Sequence, residues 1–203
     1  MKDLVVLAAD RSIEAALRGL LSRPKAIGIR PVDYETLAHP RRDPGCRLQS
    51  HEFLYPLRGV NRHALVVFDR EGSGSIEPAL TIEERVRGLL HANGWESRSD
   101  VVVIDPELDV WVWSDSPKVD EALRWAGRKP PLRAWLGSRG LWPTGQPKPA
   151  NPKSAVLMAL RDVGIPPSSS IYLRLATTVS VERCVDPAFG RLRDRLRAWF
   201  PAT

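Results

Sequence analysis

The sequence predicts an α/β protein: a mostly parallel sheet flanked by helices, followed by a basic helical C-terminal extension. Three observations carry this. Short continuous apolar runs ending in a polar residue recur through the first half of the chain, segments with apolar residues at helical spacing separate them, and the last third is rich in Pro, Gly and Arg. Strands that alternate with helices imply parallel pairing with both faces of the sheet covered.

The elements follow in order. "KDLVVLAAD" (2–10) reads as a buried strand. Ser12 is placed to cap the next helix, whose Ile13, Leu17, Leu20 and Leu21 share one face before Arg23-Pro24 stops it. "AIGIRPVDYE" (26–35) reads as a second strand, broken or ended at Pro31. "HPRRDPGC" (39–46) reads as a loop and "RLQSHEFLYPL" (47–57) as a short helix. "HALVVFD" (63–69) is a third strand. The helix after it carries Ile82, Val86, Leu89 and Leu90 at helical spacing and stops at Asn93-Gly94. "DVVVID" (100–105) is a fourth strand, and "PELDVWVWSD" begins a helix with Pro106 in its first turn.

From about residue 116 the texture changes. "GRKPPLRAWLGSRGLWPTGQPKPANPK" (127–153) is loop-like, and helices are expected at 152–163 and 187–200. In the last helix Phe189, Leu192, Leu196 and Trp199 line one face, with Arg191 and Arg195 on the outer side. The expected organisation is an α/β domain over 1–126 and a basic loop-and-helix extension, 127–203, packed on it.

Composition bounds the function. Of 203 residues 43% are hydrophobic and 27% charged, values that support a buried core. No run of about 18 apolar residues reads as membrane-spanning. The N-terminal apolar stretch is interrupted at Asp10, too soon for a signal peptide. Cys46 and Cys184 have no CxxC spacing, so inert thiols in a reducing cytoplasm are expected. Residues 1–121 hold 16 Lys/Arg against 20 Asp/Glu, a balance of −4; residues 122–203 hold 14 against 4, a balance of +10. An acidic half joined to a basic half suits a polyanionic partner, although a basic surface also simply keeps a protein soluble.

Asp10, Asp69 and Asp105 each end an apolar strand, where active residues of parallel sheets collect. Glu71 follows Asp69 by two residues. Side chains at that spacing on a strand face opposite ways, but Gly72 and Gly74 permit a turn beyond the strand end. If Asp10, Asp69 and Glu71 converge, each pair repels by about 4 kcal/mol at ~4 Å with an effective dielectric near ~20. A divalent cation or a raised pKa relieves that repulsion. Carboxylates are hard ligands suited to Mg²⁺, which can support hydrolysis at a phosphodiester.

Three segments together resemble the Toprim-like family, in the OLD-nuclease and RloB-type form of small stand-alone proteins from bacterial defence systems. "AADRSIEAAL" is similar to the opening motif, with Asp10 at the place of the main glutamate and Glu14 at that of the second carboxylate. "VVFDREG" resembles the Asp-x-Asp motif, with Asp69 first and Glu71 in place of the second aspartate. "DPELDVWVWSD" resembles a "PEIEAWLLAD" segment, with Glu107, Asp109, Trp111 and Asp115 in register, and the tail from Pro152-Lys153 onward is similar as well. Two residues depart from the pattern: Asp10 is one methylene shorter than glutamate, and Arg11 replaces a glycine.

The resemblance implies a Mg²⁺- or Mn²⁺-dependent nuclease or related phosphoryl-transfer protein acting on DNA or RNA. Asp10 would act in proton transfer or as a ligand, Asp69 and Glu71 as metal ligands, and Asp109 as a further ligand. An ATPase or another defence-system protein is the implied partner. Arg11, Lys153, Arg128 and Arg133 are the candidate nucleic-acid contacts, with Arg174 and Arg183 behind them. Glu107 and Asp109 also suit a helix-capping role after Pro106, and Glu14 an ordinary helix surface. The four histidines show no ligand spacing, "GSGS" (72–75) lacks the Lys-Ser/Thr of a phosphate loop, and Trp111 and Trp113 read as core. Two other readings stay open: a non-catalytic binding or assembly subunit with a degenerate site, and a protein-interaction module that binds neither metal nor nucleic acid.

Overall fold

A computed structural model describes residues 1–202. Four strands, β1 (Lys2–Ala8), β2 (Tyr34–Ala38), β3 (Asn61–Asp69) and β4 (Ser99–Ile104), pair in the order β2-β1-β3-β4, all parallel. The apolar runs explain the pairing. Leu4–Ala8, Ala64–Phe68 and Val101–Ile104 are almost wholly excluded from solvent, as strands covered on both faces must be.

Helix α1 (Arg11–Leu21) links β1 to β2, with a single turn, α2 (Pro24–Ile27), after it; α3 (Arg42–Leu54) links β2 to β3 and α4 (Ala79–Leu90) links β3 to β4. The chain steps from β1 outward to β2, then back across β1 to β3. Right-handed crossovers therefore put α1 and α3 on opposite faces, and the strand order reverses between β1 and β3, whose carboxyl ends are where folds of this kind place their binding crevice. The β1–β3 register runs to Ala8 opposite Val67, so two residues further on Asp10 and Asp69 leave the sheet side by side.

The remaining helices are α5 (Pro117–Ala122), α6 (Leu132–Ser138), α7 (Pro152–Asp162), α8 (Ser169–Thr178) and α9 (Pro187–Trp199). A second apolar cluster gathers residues from Val112 to Leu175, including Trp113, Trp125, Trp135 and Leu160. Phe189, Leu192, Leu196 and Phe200 instead join the core of the sheet, so α9 closes onto β4.

Several local expectations are corrected. Residues 24–27 form a helical turn, Ile29 makes an isolated bridge to Pro201, and β2 begins only at Tyr34, because Gly28 in the left-handed region and Pro31 divert the apolar run "AIGI" into the core. Helix α3 starts at Arg42 rather than near 47. Pro44 is tolerated in its first turn, and Gly45 is needed because a side chain there would fall on the His39 ring. Asp10, not Ser12, caps α1. The segment after Pro106 makes only a 3₁₀ turn, Leu108–Trp111. Arg191 and Arg195 do not stay on the outer side of α9 but pair with Glu83 and Asp100. Helices α5, α6 and α8 add to the two that the C-terminal sequence suggested. Among the described residues no helix is long and apolar enough to cross a membrane.

Candidate functional site

The carboxyl ends of the central strands, where the strand order reverses, collect carboxylates from four segments. Asp10 follows β1 in extended conformation, and its Oδ1 accepts the Ser12 and Ile13 backbone N–H groups at 2.8 and 2.9 Å. This satisfies two free N–H groups of α1 and places a negative charge at the positive end of the helix.

Asp69 ends β3 and points inward. Its Oδ1 is buried and has no hydrogen-bond partner. Burial pushes its pKa up to about 9, reinforced by the charges of Asp43, Asp10 and Glu107. An ionised carboxylate short of partners is costly in such a place, so in the absence of a cation the proton stays on.

Asp43, in the first turn of α3, is the residue that sequence reasoning missed. Its Oδ1 accepts the Asp69 backbone N–H at 2.8 Å, and its Oδ2 lies where a Cβ at residue 72 would come within 2.5 Å. Only glycine at 72 leaves that room. Burial raises the Asp43 pKa as well, with a further push from Asp10. Cys46, one turn further along α3, is a buried free thiol whose pKa is driven up by burial and by the Asp43 and Asp10 charges. It is not a nucleophile in this setting.

The fourth segment follows β4. Glu107 occupies the cap position of the 3₁₀ turn, but its side chain makes no cap bond; it accepts Lys153 Nζ at 2.6 Å. Lys153 sits in the first turn of α7, where a cation is unfavourable to the helix dipole, and Glu107 compensates it. That bond raises the Lys153 pKa against the opposing effect of burial. Asp109 is buried and accepts the Tyr172 hydroxyl at 2.8 Å. Its pKa is raised by burial and by Glu107, against the opposing pull of Tyr172 and Lys153.

The structure thus brings Asp10, Asp69 and Asp109 into one electrostatic neighbourhood with Asp43, Glu107, Lys153 and Tyr172. Glu71 is placed differently. It opens the turn after β3 with its side chain exposed, while its N–H donates to the Pro106 carbonyl at 3.0 Å. Asp105 is neutralised by Arg70, which reaches it at 2.6 Å. Glu14 is buried and held by Thr36 at 2.9 Å and by the largely exposed Arg11 at 2.6 Å, so Glu14 is not an ordinary helix-surface residue. Arg128 pairs with Asp162, and Arg133 donates to the Gln146 carbonyl, both within the second cluster's surface. Trp113 is core, as expected, and Trp111 is half-buried with its indole N–H on Asp186.

Among the described residues, no three His, Cys, Asp or Glu side chains are arranged to enclose a metal ion by themselves. Mg²⁺ rarely asks for that: one or two carboxylates, with waters and substrate phosphates, are its usual shell. Hard oxygen donors and an orphaned buried carboxylate oxygen fit such an ion, with Asp69 and Asp10 as the residues that would hold it and Asp43 and Asp109 beside them.

Comparisons with protein-family models, with curated proteins and with solved structures give no match to this chain.

Proposed function

We propose that the strand-end carboxylates bind Mg²⁺ or Mn²⁺ and that the chain is a Toprim-like, metal-dependent nuclease or phosphoryl-transfer protein acting on nucleic acid. The observation that carries this reading is Asp69: a buried carboxyl with an unpartnered oxygen, beside Asp10 and Asp43, at the point where the strand order reverses. A bound divalent cation would supply Lewis-acid stabilisation of a phosphodiester and a more acidic water. Asp10, fixed by two backbone N–H groups on one oxygen, keeps the other free for a cation or a proton. Lys153, paired with Glu107 yet more than half exposed, supports this reading as a phosphate contact. The resemblance to small Toprim-like proteins supports a role in a bacterial defence system, with an ATPase or another protein of that system as partner, inside the cytoplasm.

The second reading, a non-catalytic binding or assembly subunit, draws on Arg11, which stands in place of a glycine and is tied to Glu14. Calorimetric titration with Mn²⁺ separates the two readings from a chain with no metal site. Saturable binding by the wild type, lost in Asp69→Asn, is the expected result. Equal affinity in both proteins would remove Asp69 from the site. Metal binding without cleavage of any nucleic acid offered would favour the assembly subunit.

A further inference from the structure

Residues 122–161 contain eight Lys/Arg and no Asp/Glu. The way this charge is mounted is more informative than its amount. The Arg128 guanidinium lies over Trp125 at 4.4 Å, Arg139 over Trp135 at 5.1 Å and Arg133 over Trp142 at 4.9 Å. The Trp125 and Trp135 rings are themselves 4.4 Å apart, so Arg128 and Arg139 share one patch. Arg124, Lys129 and Arg139 are exposed and make no ion pair among the described residues. A guanidinium stacked on an indole has lost much of its freedom already. Arg128 and Arg133 also spend an N–H on Asp162 and on the Gln146 carbonyl, whereas Arg139 makes no ion pair among the described residues and, with Arg124 and Lys129, leaves exposed charge that suits an array of phosphates.

The tryptophans do not offer themselves to bases. Trp125 is 2% exposed and Trp135 9%, and Trp142 packs edge-on against Trp113 beneath Arg133. Proteins that hold single strands use open aromatic faces for stacking; here those faces are spent on the core and on arginine. What remains is charge, and a duplex carries the greater phosphate density. The same segment ends in α7, whose Lys153 reaches Glu107 of the strand-end carboxylates.

We propose that this Trp-backed basic face docks the phosphate backbone of a nucleic-acid duplex, reading charge and not base sequence. The inference rests on nucleic acid being the substrate of the strand-end site, and it names the form that the nucleic acid takes and the surface that holds it.

The test is fluorescence anisotropy across a salt series, in chelator so that no metal is involved. The ligands are a labelled DNA duplex, the matching RNA duplex and the single strand. Duplex binding tighter than single-strand binding, unchanged by shuffling the sequence, is expected; the two duplexes show which source is preferred. Arg124→Ala, Lys129→Ala and Arg139→Ala together should reduce the slope of log K against log salt by about 3, with thermal unfolding unchanged. An unchanged slope in a folded triple variant would overturn the proposal, as would tighter binding of the single strand. Binding of anionic vesicles in place of the duplex would do the same. If only the single strand binds, this surface assignment fails and the nucleic-acid reading stands; if no nucleic acid binds, both fall.

Discussion

Two groups of buried carboxylates flank the same sheet and are treated in opposite ways. On the β4 flank, Glu83 of α4 accepts the Val103 N–H at 2.8 Å and two N–H groups of Arg191 at 2.7 and 3.2 Å. Asp100 of β4 takes Arg87 at 2.9 Å on one oxygen and Arg195 on the other. Every charge is answered by a guanidinium from the chain itself, and the result fastens α9 along the outer strand. At the strand ends, Asp69 and Asp43 form no ion pair among the described residues, and burial, reinforced by neighbouring carboxylates, raises their pKa values. Burial alone does not mark a functional carboxylate. A buried carboxylate whose counter-charge is missing is the one that asks for a cation from outside.

The largest effect is expected where the answered group is broken. Arg191→Ala leaves Glu83, 2% exposed, without its partner and should destabilise the protein by about 3 kcal/mol in urea unfolding. A loss below about 1 kcal/mol would mean that the two groups are not as different as their hydrogen bonds suggest.

The strand-end group should respond with the opposite sign. The Asp69 carboxyl titrates at about 9 in the folded chain against about 3.9 in an unfolded one. Below the lower value both states are protonated and stability is intact. Between the two values the unfolded state releases a proton that the folded state keeps, so metal-free stability falls as pH rises, and it levels off above the folded value. Asp69→Asn removes that penalty. It should stabilise the metal-free protein by about 1–3 kcal/mol at alkaline pH and flatten the pH profile of its melting temperature. A variant less stable than wild type at every pH would place Asp69 with the answered carboxylates.

Much of this was legible in the sequence where a single segment decides the matter. The apolar runs of β1, β3 and β4 had no other reading, and the aspartates after β1 and β3 fell where parallel sheets keep their sites. What depends on distant partners was not legible. Pro44-Gly45 looked like a turn, which hid both the start of α3 and Asp43, since nothing local announces that the His39 ring fills the space over Gly45. Tyr172 meets Asp109 across 63 positions, and Arg191 meets Glu83 across 108, so helical periodicity could place those side chains on a face but could not name what they touch. The pair Asp69 and Glu71 shows the limit most clearly. Two carboxylates at one motif read alike, yet one turns inward and the other into solvent.

The smallest effect tests where the division falls. Asp105 directly follows β4, much as Asp69 ends β3, and their places at the strand ends alone do not separate them. The structure does: Arg70, directly after Asp69, reaches Asp105 at 2.6 Å, with Asp105 exposed and Arg70 half-buried. A surface pair of this kind contributes about 0.2–1 kcal/mol, so Asp105→Asn should lower stability by no more than that, and less at high salt. Freed from Asp105, the Arg70 guanidinium stays at the strand end and adds no ligand, so Mn²⁺ affinity in calorimetry should remain within about twofold of wild type, under ~0.5 kcal/mol. Loss of Mn²⁺ binding in Asp105→Asn would move the site outward toward β4 and away from the carboxyl ends of β1 and β3. Retention, beside loss in Asp69→Asn, would show that place on the sheet and a missing counter-charge, rather than the strand-end aspartate as such, select the ligand.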